Sequence, residues 1–192
     1  MKWLILILLL FISIPSISCS FTFNEQNTKM QVLKVIDGDT IILKNENNKS
    51  ETIRFYGIDT PETLKKNVNE NELAKYENIH ANIAKNYVIM RLKDNSNMIY
   101  LKRITSDQYD RTVAILYLNN KSHSLNEELI TQGFARIAFI QSHSPNKMFY
   151  TKTQEMYNFH KTLIQQQESA KIKQLGIWKF KLSDIYHKLD QN

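Results

Sequence analysis

The sequence predicts a single α+β domain built on a five-stranded β-barrel with about three helices. Five short stretches rich in β-branched and aromatic residues have the composition of strands, and polar turns separate them. Three longer stretches have helical spacing or helix-boundary signals. With 192 residues, 42% hydrophobic and 23% charged, the chain has the size and composition of one globular domain with a real core.

The strands are predicted in two groups. An Asp37-Gly38 turn between two apolar runs is a strong hairpin signal, and it joins the first two strands of a three-stranded meander. The other two strands flank a second polar turn. In chain order the predicted strands are residues 30–36, 40–44, 52–58, 98–104 and 112–118.

The first predicted helix spans residues 70–92, where apolar residues recur at three- and four-residue steps and predict one core-facing stripe. We expect His80, which falls on that stripe, to be a packed core histidine and not a ligand. A capping box at Ser124 and Glu127 opens a short second helix that ends at Gly133. Ser144-Pro145 predicts the start of a long third helix that ends before Gly176. The predicted stripe consists of Leu73, Tyr76, His80, Ile83, Tyr87 and Met90.

The end of the third strand carries three charged groups. Arg54 lies inside the strand, Asp59 at its exit, and Glu62 in the turn that Pro61 enforces. A cation, a carboxylate for a metal and a second carboxylate for proton transfer suit phosphodiester chemistry. A surface strand that ends in an ordinary Asp/Pro turn remains open for this stretch alone.

Two further segments narrow the choice. Upstream lies Asp37-Gly38-Asp39-Thr40, and downstream lies Asp107-Gln108-Tyr109-Asp110-Arg111. In this order and spacing the three segments resemble the thermonuclease (staphylococcal nuclease-like) family, from about Met30 to Trp178. The resemblance implies an OB-fold, which five strands with helices at one end also fit.

The resemblance implies one Ca²⁺ site and three catalytic side chains. It assigns metal ligation to Asp39, Asp59 and the backbone carbonyl of Thr60; hard oxygen donors of this kind suit Ca²⁺ or Mg²⁺. Glu62 matches the family's catalytic glutamate, and its expected role is general base on the attacking water. The expected phosphate-gripping residues are Arg54 and Arg111.

Four positions concern the substrate. Tyr109 keeps the family's tyrosine beside the phosphate, and Phe139 replaces a tyrosine while retaining a ring that can stack on a base. Gln108 stands where a basic residue is common. Asp110 stands where glycine is usual; aspartate tolerates a positive φ better than most residues, but its charge competes for Arg111, so the turn geometry and the placement of Arg111 are the weakest part of the match.

The chain begins with a positively charged start and a short apolar run, typical of a secretory signal. Residues 1–18 are predicted to be a signal peptide and 19–29 a tether. Cys19 is the single cysteine, and its surroundings resemble a lipobox in which Ser16 replaces the usual aliphatic residue. A lipoprotein lipidated at Cys19, anchored to the membrane, and a freely secreted or periplasmic protein both stay open.

The sequence therefore predicts an exported, Ca²⁺-dependent endonuclease in residues 30–180, followed by a C-terminal tail, 181–192. Sugar-nonspecific cleavage of DNA and RNA that leaves 3′-phosphate ends is what the family implies. The net charge of +6 suits a polyanionic substrate. We expect a monomer and no protein partner. The alternatives are a non-catalytic nucleic-acid-binding surface protein on the same fold and a structural surface lipoprotein.

Overall fold

The computed structural model describes residues 29–45, 47–65, 69–118 and 123–189. The predicted signal peptide, Cys19 and all of the tether except Lys29 lie outside the described residues, as do residues 190–192. Within the described parts of the chain, no helix combines the length and the apolar character that a membrane span requires.

The described residues form seven strands, three α-helices and three short 3₁₀ helices, one of which precedes α1 while two follow α3. The strands are β1 Lys29–Asp37, β2 Thr40–Lys44, β3 Ser50–Phe55, β4 Ile58–Asp59, β5 Met98–Ser106, β6 Thr112–Tyr117 and β7 Arg136–Ile137. The helices are α1 Glu77–Lys93, α2 Leu125–Thr131 and α3 Gln154–Ile172.

Five of the strands close into a barrel in the order β1-β2-β3-β6-β5. Neighbouring pairs are antiparallel except β3 and β6, which run parallel, from Ile53 beside Thr112 to Phe55 beside Ala114. The barrel interior is filled by apolar side chains such as Ile41, Leu43 and Ile99. The predicted five-stranded OB-fold with three helices is confirmed.

The third predicted strand is shorter than expected, and its end forms a separate element. The chain bends at Tyr56 and Gly57, whose φ is +78°, and then continues as β4, which pairs with β7. The buried side chain of Asn126 stabilises the bend by accepting from Leu116 N at 3.1 Å and donating to Tyr56 O at 2.9 Å. Asp59 therefore leaves the barrel wall on a short two-stranded ribbon.

The predicted core stripe of the first helix is wrong in register. Ile83 is 41% exposed and Met90 is 49% exposed. His80 is buried, as expected; its ring centroid lies 5.1 Å from that of Phe180, and burial lowers its pKa. The helix also begins later than predicted. Its buried positions are Glu77, His80, Ala81, Ala84, Val88 and Leu92.

The capping box of the second helix is confirmed: the Ser124 side chain accepts from Glu127 N, and Glu127 reaches back to Ser124 N. The predicted start of the third helix is wrong. Ser144-Pro145 lies in a loop, where the side chain of Gln141 accepts from Ser144 N at 2.9 Å. The helix begins after Thr153, whose side chain accepts from Met156 N.

Candidate active site

Two buried aspartates meet at one arginine at the end of the barrel. Asp39 lies in the turn that leads into β2, and Asp59 ends β4. The guanidinium of Arg54, from β3, contacts Asp39 Oδ1 with Nη1 and donates from Nη2 to Asp59 Oδ1 at 3.0 Å. The structure thus brings together three residues that the sequence singled out.

Gly38 allows the neighbouring elements to approach this turn. A Cβ atom at position 38 would lie 2.7 Å from Ala84 Cβ on α1 and 2.9 Å from Thr60 Cγ2. Any side chain there would push away α1 or the loop that follows Asp59. The glycine of the Asp37-Gly38-Asp39 turn is therefore required by packing against the site.

Hydrogen bonds hold the carboxylate of Asp39 on both oxygens. Oδ2 accepts from Thr60 N at 2.7 Å and from Thr60 Oγ1 at 2.9 Å. Oδ1 accepts from Thr40 Oγ1 at 3.0 Å. Thr60 is buried as well. The three predicted metal residues therefore lie together: Thr60 is hydrogen-bonded to Asp39 and follows Asp59 in the chain.

Arg136, which the sequence analysis did not single out, completes the charge pairing. It is buried on β7, and its Nε and Nη2 lie 3.1 Å and 3.0 Å from Asp59 Oδ2. Two arginines therefore bind Asp59, one on each carboxylate oxygen. The available signal was its position as the one charged residue in the apolar stretch 134–140.

The donor atoms fit a hard divalent cation. Both carboxylates contact the Arg54 guanidinium, and carboxylate and carbonyl oxygens are the ligands that Ca²⁺ prefers. Neither here nor elsewhere in the described residues does a group of three or more His, Cys, Asp or Glu side chains lie together to hold a metal ion, so a cation here would rely on two carboxylates and backbone oxygen. Asp39, Asp59 and the Thr60 carbonyl are the residues that would hold it.

Arg54 retains capacity for another partner. Burial lowers its pKa, and the carboxylate of Asp59 opposes that shift; a guanidinium stays charged in either case. Although Nη1 contacts Asp39, it makes no hydrogen bond of acceptable geometry within the described chain. Nη1 is therefore paired with Asp39 by charge but is not aligned for a hydrogen bond to it.

Glu62 lies in the loop after the site, with its side chain open to solvent. The side chain is 47% exposed, and Lys65 Nζ donates to Glu62 Oε2 at 2.9 Å, which raises the pKa of Lys65. The loop is tied to the β1–β2 turn because the Thr63 hydroxyl donates to Asp37. A cleft of about 360 Å³ borders Asp59 and Glu62.

Arg111 is held by its own turn. Its Nε donates to Asp107 Oδ2 at 2.7 Å, and its guanidinium carbon lies 5.3 Å from the centroid of the exposed Tyr109 ring. Burial raises the pKa of Asp107, but hydrogen bonds from Arg111 and Tyr109 outweigh it and lower the pKa. The pKa of Arg54, which burial lowers most, is also lowered by the charge of Arg111 and raised by that of Glu62.

The unusual residue of that turn, Asp110, adopts a φ of +60°, in the left-handed region. Its backbone N–H donates to Asp107 O at 3.1 Å. The ion pair of Arg111 is made with Asp107 and not with Asp110. The aspartate at this position, where the family usually has glycine, therefore adds a conformational cost to the turn. It does not alter the ion pair between Arg111 and Asp107.

Phe139 lies beside the arginine, with the Arg54 guanidinium carbon 5.5 Å from its ring centroid. A second ring, Phe149, contacts it edge to face with centroids 5.4 Å apart. Both phenylalanines have positive φ, +58° and +65°, which is strained for bulky residues and recurs at functional sites. The sequence analysis missed Phe149, which lies in the loop it assigned to a helix.

Comparison with known proteins finds similarity to nucleases. The pattern of the staphylococcal nuclease homologue family matches residues 52–180. The chain is 30% identical over 155 residues to a thermonuclease of Staphylococcus hyicus, covering 81% of this chain and 77% of that protein. It is 32% identical over 148 residues to a thermonuclease of Staphylococcus intermedius, covering 77% and 74%. A Haemophilus influenzae protein described as an uncharacterized endonuclease is 29% identical over 182 residues, covering 92% and 78%.

Replacing Asp110 by glycine tests whether the left-handed conformation in the Asp107–Arg111 turn costs stability. A left-handed residue other than glycine is strained by roughly 1 kcal/mol, so we expect Asp110→Gly to raise the free energy of unfolding by about 0.5 kcal/mol. The matched change Asp94→Gly, at an exposed position with φ −59°, should lower it by about 0.5–1 kcal/mol. Urea denaturation measures both; equal losses would show that the conformation at position 110 carries no strain.

Proposed function

The chain belongs to the staphylococcal nuclease homologue family, and from this premise we propose that it is an endonuclease that hydrolyses phosphodiester bonds of DNA and RNA. The observation that carries the proposal is the grouping of two carboxylates and Arg54 beside a solvent-exposed glutamate. Nucleases of the proposed type need a metal site, a base and cations for the phosphoryl oxygens.

We further propose that the enzyme requires one Ca²⁺ and leaves 3′-phosphate ends. The support is the donor set of Asp39, Asp59 and the Thr60 carbonyl, which leaves other coordination positions to solvent and substrate. When bound, the cation supplies charge neutralisation to the phosphoryl group and lowers the pKa of water. Asp39 is oriented for this role through its two bonds from Thr60.

Glu62 is assigned the role of general base. Its exposed side chain can meet a solvent molecule beside the metal residues, and Lys65 holds one of its oxygens. Glu62 takes a proton from water as the water oxygen bonds to phosphorus. The bond from phosphorus to the 5′-oxygen breaks, that oxygen takes up a proton from solvent, and the phosphate stays on the 3′ side.

Arg54 and Arg111 are assigned to the phosphoryl oxygens. The guanidinium fork donates parallel hydrogen bonds to such oxygens and stays charged. Arg54 Nη1 is buried in ion-pair contact with Asp39 but makes no well-aligned hydrogen bond in the described chain. Arg111 uses Nε for Asp107, which holds the guanidinium at the turn. Tyr109 and Phe139 are assigned to the nucleotide that flanks the cleaved bond.

We also propose that the protein is exported, either free or anchored through a lipid on Cys19. The apolar run before Cys19 supports this. If Cys19 is acylated, the wild-type protein should partition into the detergent phase of its producing cells' extract and Cys19→Ser into the aqueous phase. Equal aqueous partitioning of the two would leave plain secretion.

The catalytic assignment is tested with purified protein, closed circular DNA and a Ca²⁺ titration. Wild type should linearise and fragment the circles only when Ca²⁺ is present.

Glu62→Gln should keep binding DNA and Ca²⁺ while turnover drops about 10²–10⁴-fold. Arg111→Ala should lose about 10²–10³-fold in turnover that added metal does not restore. Asp39→Asn should shift the Ca²⁺ requirement upward and recover partly at high Ca²⁺.

The controls for these variants are Glu168→Gln and Asp94→Asn, the same chemical changes at exposed positions. Both should retain wild-type turnover. Near wild-type cleavage by Glu62→Gln would remove the base assignment, and an unshifted curve for Asp39→Asn would place the metal elsewhere. Circles that are bound but stay intact in wild type would favour the alternative, a non-catalytic nucleic-acid-binding protein.

Stacking by Phe139 has its own test. Because stacking of a base on an aromatic ring is worth about 1–3 kcal/mol, Phe139→Ala should weaken single-stranded substrate binding by roughly tenfold or more. Phe139→Tyr, which keeps the ring, should bind as wild type does. Fluorescence anisotropy gives affinity and thermal denaturation gives stability. Unchanged affinity in Phe139→Ala with a large fall in Tm would make Phe139 a packing residue.

A further inference from the structure

The C-terminal segment, residues 182–189, reaches the metal residues. Tyr186 is buried, and its hydroxyl donates to the backbone carbonyl of Asp59 at 2.9 Å, across 127 positions of the chain. The cleft beside Asp59 and Glu62 is bordered on this side by Tyr186 and His187. A part of the chain that the sequence analysis treated as a tail therefore lies against the site.

The Tyr186 bond acts on one edge of the peptide that joins Asp59 to Thr60. The N–H on the opposite edge, that of Thr60, donates to Asp39 Oδ2 at 2.7 Å. A peptide unit is planar, so fixing its oxygen also fixes the direction of its N–H. The hydroxyl of Tyr186 thereby sets the donor that orients the Asp39 carboxylate.

Tyr186 is itself held by the site's second arginine. The guanidinium carbon of Arg136 lies 4.1 Å from the Tyr186 ring centroid, while its Nη2 donates to Lys188 O at 3.0 Å. The next residue, His187, donates from its backbone N to the buried Glu77 carboxylate at 3.0 Å, and its Nδ1 lies 2.8 Å from the same group. These contacts keep the segment in one place relative to Asp59.

We propose that Tyr186 is a positioning residue for the metal-binding carboxylates, acting through the Asp59–Thr60 peptide. The inference rests on the proposed Ca²⁺ site. Asp39 lies in the β1–β2 turn and Asp59 ends β4, and the peptide clamped between Tyr186 and Asp39 links the two. With the hydroxyl in place, the peptide is held ready before a cation arrives, so less ordering is required on binding.

The competing role for Tyr186 is apolar packing alone. It belongs to a small cluster with Ile177 and Ile185, which a phenylalanine ring would fill equally well. The hydroxyl donates to the Asp59 carbonyl, a hydrogen bond that a phenylalanine cannot make. The two roles separate on removal of the oxygen atom.

Tyr186→Phe is the discriminating variant, because it keeps the ring, the cluster and the contact with Arg136. Isothermal titration with CaCl₂ on the full-length protein should show a Ca²⁺ dissociation constant about three- to tenfold higher than wild type, the effect expected of one lost hydrogen bond. Cleavage should need more Ca²⁺ by the same factor, with near wild-type turnover once Ca²⁺ saturates. Tyr157→Phe, at a tyrosine 45% exposed on α3, is the matched control and should leave both quantities unchanged.

The outcomes separate the inference from the function on which it rests. If wild type binds Ca²⁺ and Tyr186→Phe binds it equally well, the positioning role is overturned while the nuclease proposal stands; a lower Tm in that case assigns Tyr186 to packing. If wild type shows neither Ca²⁺ binding nor cleavage, the proposed function fails and the inference fails with it. A raised dissociation constant with an unchanged Tm supports the positioning role.

Discussion

The pairing of two buried carboxylates with two arginines is the interaction on which the rest of the site depends. Asp39 and Asp59 are both buried, and removing a carboxylate from water costs several kcal/mol unless an opposite charge is close. Arg54 lies between them, and Arg136 binds the second oxygen of Asp59. The four charges cancel. Loss of either arginine would leave a buried carboxylate partly unpaired, so the site and the stability of this end of the barrel are coupled.

The fold supplies this charge group from separate elements: the β2–β3 hairpin brings Asp39 and Arg54 together, and the β4–β7 ribbon adds Asp59 and Arg136. Asp39 comes from the β1–β2 turn, Arg54 from β3, and Arg136 from β7, which pairs with β4 rather than with the barrel. Gly38 lets α1 and the Thr60 loop pack directly on the turn, so the spacing between these elements has little freedom. The polar groups thus gather at the end of the closed barrel, where its strands end.

The barrel strands and the central site residues follow from local sequence, because β-branched composition, an Asp-Gly turn and three short motifs each report on their own neighbourhood. The face of α1 that packs on the barrel cannot be predicted from local sequence in the same way. Ile83 and Met90 look like core residues, yet the face that packs carries Ala81 and Ala84, small side chains that permit close approach and contribute little to a hydropathy pattern. Contacts such as Tyr186 with Asp59, 127 positions apart, leave no local pattern at all.

The two arginines divide their hydrogen bonds in different ways, and this difference separates their roles. Arg136 uses Nε and Nη2 on Asp59 and directs Nη2 and Nη1 to the carbonyls of Lys188 and Leu189, so its guanidinium is committed to holding the C-terminal segment against β4. Arg54 directs Nη2 to Asp59, and its Nη1 contacts Asp39 without a hydrogen bond of good geometry within the described chain. If Arg136 turned away to bind a substrate anion, it would lose its hydrogen bonds to Lys188 and Leu189 and release the C-terminal segment. If Arg54 turned away instead, it would lose its contacts with Asp39 and Asp59. Asp59 would keep its ion pair with Arg136, and Asp39 would keep its hydrogen bonds from Thr60. This difference supports the assignment of Arg54, rather than Arg136, to the phosphoryl group in the proposed function.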